Sequence, residues 1–195
     1  MEKLVTSQFK LGIIAGGQLG KMLSLAASNW DVKTYILDKD LHCPAAPCST
    51  EVIAGDPLNF DDVYQFGKRV DMVTYELEAI NTDALKKLVL EGRPVLPEPE
   101  VLEVIQDKGL QKSFFSDHDI PTSSYTVFSN KTEIEAAITA GSLSFPFVQK
   151  LRKGGYDGRG VSIIKSQADI EMIFDAPSIV EDLVPIQSEI SVIAA

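Results

Sequence analysis

The apolar positions of this chain follow two rhythms. From Phe9 to Leu90, compact apolar runs alternate with stretches of helical period. Phe9 to Ala15 is such a run and ends at Gly16-Gly17. Gln18 to Ser28 follows with Leu19, Met22, Leu23 and Ala26 spaced as on one helix face. Lys33 to Leu37, Glu51 to Ala54 and Met72 to Tyr75 read as further strands. Asn59 to Lys68 and Thr82 to Leu90 read as helices, the first with Asp61 and Asp62 in its opening turn, the second capped by Asn81 or Thr82. This alternation predicts an α/β domain, a Rossmann-like parallel sheet covered on both faces.

The rhythm changes at Arg93-Pro-Val-Leu-Pro-Glu-Pro99, a proline-punctuated boundary that divides the chain into domains 1–97 and 98–195. Two helices are expected next, Glu98 to Gln106 and Asp107 to Asp117, the second with Leu110, Phe114 and Phe115 as its apolar side. Strands follow at Tyr125 to Phe128, Phe145 to Val148, Val161 to Ile164, Ser178 to Glu181 and Glu189 to Ile193. Helices fall at Lys131 to Ala140, closed by Gly141, and at Gln167 to Phe174. The second half is therefore α+β, built of hairpins rather than crossovers.

A chain of 195 residues with 45% hydrophobic and 24% charged residues can fill cores and carry a polar surface. Its net charge of −10 argues against non-specific binding to nucleic acid or membrane. There is no apolar run of membrane-spanning length, and the N-terminus lacks the apolar core of a secretory signal. Cys43 and Cys48 are the only cysteines. They match no zinc spacing and make no disulfide framework, so they read as reduced thiols of a cytoplasmic protein, with a local disulfide as the alternative.

The densest chemistry is Lys150-Leu-Arg-Lys-Gly-Gly-Tyr-Asp-Gly-Arg-Gly160 between two strands. Its glycines let backbone N–H groups approach an anion, and Lys150, Arg152, Lys153 and Arg159 add charge. That combination suits a loop closing over polyphosphate; a mobile basic turn is the plain alternative. Ala15-Gly-Gly-Gln-Leu-Gly20, at the first strand-to-helix turn, approximates a dinucleotide fingerprint with alanine at the first glycine, and Asp38 ends the next strand. It offers helix N-terminal N–H groups to a phosphate or carboxylate, or else packs strand tightly on helix. Glu76 and Glu78 follow the fourth strand, either in the ligand crevice or on the surface. Glu181-Asp-Leu-Val184 can present backbone groups to an adenine edge and Glu189 can accept from a ribose, though by themselves these are two unremarkable acids; Lys108 and Lys150 gain meaning only as their partners, as cations for phosphates.

Together these residues resemble the ATP-grasp superfamily, and within it the 5-(carboxyamino)imidazole ribonucleotide synthases of purine biosynthesis. The resemblance runs along the whole chain, through Ile14 to Met22, Leu37-Asp38 with Pro44-Ala-Ala46, Val73 to Glu78, Gln106-Asp-Lys108, Ile120-Pro-Thr122, Lys150, Gly154 to Gly160 and Glu181 to Glu189. It implies a preATP-grasp domain followed by the N-terminal part of an ATP-grasp domain. It implies that Gln18, Leu19 and Glu76, with Tyr156 and Asp157, meet a ribonucleotide. Lys108 and Lys150 would bind ATP phosphates under a lid of Gly155, Tyr156, Asp157, Gly158, Arg159, Gly160 and Val161. Glu181, Asp182, Leu183 and Val184 would form the adenine linker, and Glu189 would hold the ribose. Lys108 stands where many relatives carry arginine, which keeps the charge but loses the fork, and Val161 where many carry glutamine.

The implied reaction is ATP- and bicarbonate-dependent carboxylation of aminoimidazole ribonucleotide through carboxyphosphate, with magnesium, in a cytoplasmic protein that is a homodimer at full length. Family members are about twice as long, so the chain is expected to be a fragment, with the metal ligands beyond Ala195 and none within it. Another ATP-grasp ligase (a formate-dependent glycinamide ribonucleotide transformylase or a biotin carboxylase), a nicotinamide-dependent oxidoreductase, and a non-catalytic nucleotide-binding or assembly module are the competing readings.

Overall fold

A computed structural model describes residues 6–155 and 159–192. The chain forms two compact units, residues 1–105 and 106–195. In the first, β1 (Lys10–Ile14), β2 (Lys33–Asp38), β3 (Glu51–Ala54) and β4 (Met72–Tyr75) form a parallel sheet in the order β3-β2-β1-β4. The helices are α1 (Gln18–Ser28), α2 (Phe60–Lys68), α3 (Thr82–Leu90) and α4 (Pro99–Gln106). Each strand is apolar on both sides, as a sheet buried on two faces requires. Ile14, Leu37 and Val73 pack with Val63 and Phe66 of α2, Leu85 and Leu88 of α3 and Leu102 of α4. The helix that follows the proline-rich segment thus contributes to the core of the first unit. Ile13 and Ile36 pack with Cys43 and Ala45 on the other face.

Asn59 and Asn81 cap α2 and α3, their side chains accepting from the backbone N–H of Asp62 and Ala84. Helix α1 forms where its period places it, but its apolar stripe does not face the sheet. Leu19 and Met22 are more than half exposed, and the buried residues are Gly20 and Ser24. Small residues bring the helix backbone close to the strand turn: a Cβ at position 20 would sit 2.5 Å from the Ala15 carbonyl oxygen. Cys43 is buried and Cys48 partly so, and both are free thiols; burial, then the nearby Asp38 carboxylate, pushes the Cys43 thiol up.

In the second unit, β5 (Tyr125–Phe128), β6 (Phe147–Leu151), β7 (Val161–Ile164) and β8 (Ser178–Asp182) form an antiparallel sheet in the order β5-β8-β6-β7. Helix α6 (Lys131–Thr139) packs Ile134 on one face with Phe147, Ile164, Ile173 and Val180. The chain leaves α6 at Gly141, whose φ is +73°. Helix α5 (Lys108–Asp117) packs against β8.

Two expectations for this unit need correction. Glu189 to Val192 is not a strand: the segment after β8 is exposed and pairs with no described strand, with Ile190 and Val192 each 83% exposed. β-like composition alone makes no strand without a neighbour to bond. The apolar side assigned to α5 holds only at Phe115, which is half-buried on the inward face. Leu110 and Phe114 are exposed, and the buried residues are Gly109 and Lys112.

Candidate functional site

The inward turn of α5 builds a site. Asp107 caps the helix, accepting from the backbone N–H of Gly109 at 2.8 Å and of Leu110 at 3.3 Å. The same carboxylate takes a fork from Arg152, with Nε at 2.9 Å and Nη2 at 2.8 Å. The Lys108 backbone N–H donates to the Arg152 carbonyl at 2.9 Å. The start of α5 is thereby stapled to the end of β6, where the glycine-rich loop begins. Burial pushes the Asp107 carboxyl up, but the Arg152 fork and the helix N–H groups outweigh it, and the net is below the usual carboxylate range.

Staple and helical period set the rest. Lys108, Gln111, Lys112 and Phe115 share one face of α5 and line a pocket of about 200 Å³ with Lys150, Ile179 and Glu181. Register explains the sheet side: Lys150 of β6 lies opposite Ile179 of β8, so Glu181, two residues on, is its diagonal neighbour on the same face. Glu181 Oε2 meets Lys150 Nζ at 2.5 Å, and Oε1 meets Lys112 Nζ at 2.6 Å. Lys112 also donates to Thr122 Oγ1 at 2.5 Å and Ser123 Oγ at 2.9 Å, and its ammonium lies 5.7 Å from the centre of the Tyr125 ring. Burial pushes the Glu181 carboxyl up, and hydrogen bonds from the two lysines bring it below its ordinary value. Three lysines and one carboxylate line the pocket, which leaves an excess of positive charge, the electrostatic requirement for a bound polyanion.

The glycine-rich loop closes at its base. A Cβ on Gly155 would sit 2.8 Å from the Arg159 carbonyl oxygen, and Gly160 has φ +77° with its carbonyl accepting from Leu151 at 2.8 Å. Arg159 and Val161 are exposed beside it. Tyr156, Asp157 and Gly158 lie outside the described residues. Asp182 is exposed at the end of β8, and Leu183, Val184 and Glu189 are exposed along the segment that leaves it.

A second constellation belongs to the first unit. Gly17 N–H donates to Glu76 Oε1 at 3.1 Å, and Gly16 N–H donates to Asp38 Oδ2 at 2.7 Å. The turn therefore already binds two carboxylates of its own chain. Asp38 Oδ1 also accepts from Asp40 N–H at 2.9 Å, which engages both oxygens of the acid a dinucleotide fold uses for ribose. Ala15, at the first glycine position, takes φ +77°, so the glycine-like conformation is kept without glycine. Burial pushes the Glu76 carboxyl up; the Gly17 and Gly20 N–H groups oppose this but do not cancel it, and Asp38 adds to it. Gln18 and Leu19 are exposed at the start of α1 beside this turn. Ala15 and Asp38 border a cleft of about 300 Å³ at the strand ends, with Pro57, Leu58 and Leu77.

The sequence motifs placed Lys108, Lys150 and Glu181 together and missed Lys112. Its signal was present in the spacing of Lys108, Gln111, Lys112 and Phe115, the set that one helix face presents. Among the described residues no cluster of three acidic, histidine or cysteine side chains suits a metal ion.

Comparison with known proteins decides the family. Residues 8–106 match the ribonucleotide synthetase preATP-grasp domain, and residues 113–195 match the ATP-grasp domain. The chain belongs to the ribonucleotide synthetase preATP-grasp family. This preATP-grasp chain is 36% identical over 191 residues to an N5-carboxyaminoimidazole ribonucleotide synthase of Brucella melitensis, covering 95% of itself and 52% of the relative. The N5-carboxyaminoimidazole ribonucleotide synthetase of Thermotoga maritima superposes with a TM-score of 0.81 at 36% identity, over 92% of this chain and 47% of that one. An Aspergillus clavatus N5-carboxyaminoimidazole synthase, solved with ADP and 5-aminoimidazole ribonucleotide, gives 0.81 at 28% identity, over 93% and 48%. The chain spans about half the length of the curated relatives it matches.

Proposed function

We propose that this chain carries the ATP-binding and ribonucleotide-binding portion of an N5-carboxyaminoimidazole ribonucleotide synthase. The observation that carries the reading is the lysine pocket of the second unit, joined by register to the glycine-rich loop. Lys108 and Lys150 bind the phosphates of ATP, and residues 155–161 close over them as a lid that excludes water. Backbone groups of residues 181–184 receive the adenine, and Glu189 the ribose. In the first unit, the Gly16-Gly17 turn presents Gln18, Leu19 and Glu76 to aminoimidazole ribonucleotide. The reading is supported by a solved relative that holds ADP together with that ribonucleotide.

The reaction so proposed is ATP-dependent carboxylation of the ribonucleotide amine by bicarbonate. The protein would act in the cytoplasm as a homodimer; no helix among the described residues is long and apolar enough to cross a membrane. Magnesium would serve the phosphoryl chemistry of such an enzyme; among the described residues no group of three acidic, histidine or cysteine side chains is placed to hold it.

Calorimetric titration of the chain with ATP, NAD and aminoimidazole ribonucleotide tests the reading. ATP should bind and Lys150→Met should abolish binding, while NAD gives no heat. Binding of NAD in place of ATP would overturn it.

A further inference from the structure

Lys112 and Lys150 grip the same carboxylate from opposite sides but are held differently. Lys112 is buried, its side chain 10% exposed, and its three N–H donors are taken by Glu181 Oε1, Thr122 Oγ1 and Ser123 Oγ. Lys150 is 32% exposed and, among the described residues, pairs only with Glu181 Oε2. It is also the strand residue nearest the lid that keeps an opening to the pocket. Lys112 is therefore saturated and fixed, and Lys150 can turn outward.

Resting on the nucleotide reading above, we propose that Glu181 holds the place of a phosphate until one binds. Lys150 passes from Glu181 to the incoming anion, and Lys112 is the positioning residue that makes the transfer possible. Glu181 is only 6% exposed, so a carboxylate left there without a cation would be strongly disfavoured. With Lys112 on Oε1, the carboxylate stays paired after Lys150 departs. Without Lys112, Glu181 can only keep Lys150, and the phosphate subsite loses its cation. The ligand class is a polyphosphate: the pocket holds three lysines and one acid, already neutralised, and at about 200 Å³ it suits one end of a nucleotide rather than the whole of it.

The test uses Lys112→Met, Glu181→Gln and the double variant of the same chain, each checked for folding by circular dichroism. Reductive methylation mapped by mass spectrometry reads the availability of the Lys150 amine without ligand; calorimetry reads binding of ATP and of inorganic tripolyphosphate. Lys112→Met should slow methylation of Lys150 severalfold and weaken ATP and tripolyphosphate by about tenfold or more. Adding Glu181→Gln should restore both to within about threefold of the unaltered chain, a rescue that a merely structural lysine would not show. If Lys112→Met does not fold, Glu181→Gln alone decides: Lys150 should methylate faster, and tripolyphosphate binding should not fall. Unchanged Lys150 reactivity in Lys112→Met or Glu181→Gln, or no rescue in the double variant, overturns the proposal while leaving ATP binding by the unaltered chain intact. An unaltered chain that ignores ATP but binds tripolyphosphate with this reactivity pattern would instead sink the nucleotide reading and keep the lysine transfer.

Discussion

Two glutamates at the ends of strands occupy opposite environments. Glu76, just after β4 in the parallel sheet, is held by the Gly17 N–H, has Asp38 nearby, and its carboxyl is pushed up. Glu181, near the end of β8 in the antiparallel sheet, is held between two ammonium groups and lies below its ordinary range. The first is an acid poised beside exposed polar groups and short of cations. The second sits within an excess of cations. An amine-bearing ligand suits the one, and a polyanion suits the other, which is the division of labour proposed for the two units. The lesson is that a strand-end carboxylate says little until its counter-charges are known.

The largest test of the contrast is truncation. Glu181→Ala leaves Lys112 and Lys150 without a counter-ion and should cost the second unit about 3–5 kcal/mol in urea denaturation. Arg152→Ala, which removes the fork on Asp107, should cost about 2–3 kcal/mol, less because the helix N–H groups still hold that carboxylate. In the first unit, Gly20→Ala forces a methyl group against the Ala15 carbonyl and should cost about 1–3 kcal/mol. Trp30, the only tryptophan, reports the first unit by fluorescence. Glu76→Gln should cost less than about 1 kcal/mol, because the amide oxygen can still accept from the Gly17 N–H. Equal losses for Glu76 and Glu181 would erase the contrast.

Acid titration sharpens the same comparison. Glu181 and Asp107 have folded pKa values below their unfolded ones, so their stabilisation is present above the ordinary carboxylate range and is lost as pH falls through the lowered folded values. Glu76 is raised, so its contribution has the opposite sign: full below the ordinary range and lost as pH rises through the raised value. Acidification from pH 7 to pH 3 should therefore lower the urea midpoint of the second unit more than the midpoint reported by Trp30. The smallest effect is expected at Ala15→Gly. It relieves a positive φ but frees the unfolded chain, for a net change within about 1 kcal/mol in thermal melts.

Periodicity and turn chemistry were enough to locate the strands and helices approximately, and the shift from crossovers to hairpins; β6 runs on to Leu151, past the expected end at Val148, and the helix expected at Gln167 to Phe174 is a 3-10 turn over Gln167–Met172. These depend on near neighbours in the chain: alternation, caps such as Asn59 and Asn81, and the glycines at 16, 17 and 141. The motifs around Gly154 and Glu181 carry the phosphate and adenine roles proposed above. What needed the tertiary structure was which face each element turns inward. Helix α5 buries Lys112 rather than Leu110 and Phe114, because Arg152 staples its first residue and Glu181 offers the lysine a counter-charge. Helix α1 turns Gly20 and Ser24 inward, because only small residues let its backbone approach Ala15. Glu189 to Val192 has β-like residues, but no described strand lies beside it to pair with. In each case the deciding partner is distant in sequence, and a local pattern carries no information about a charge or a surface that only folding brings near.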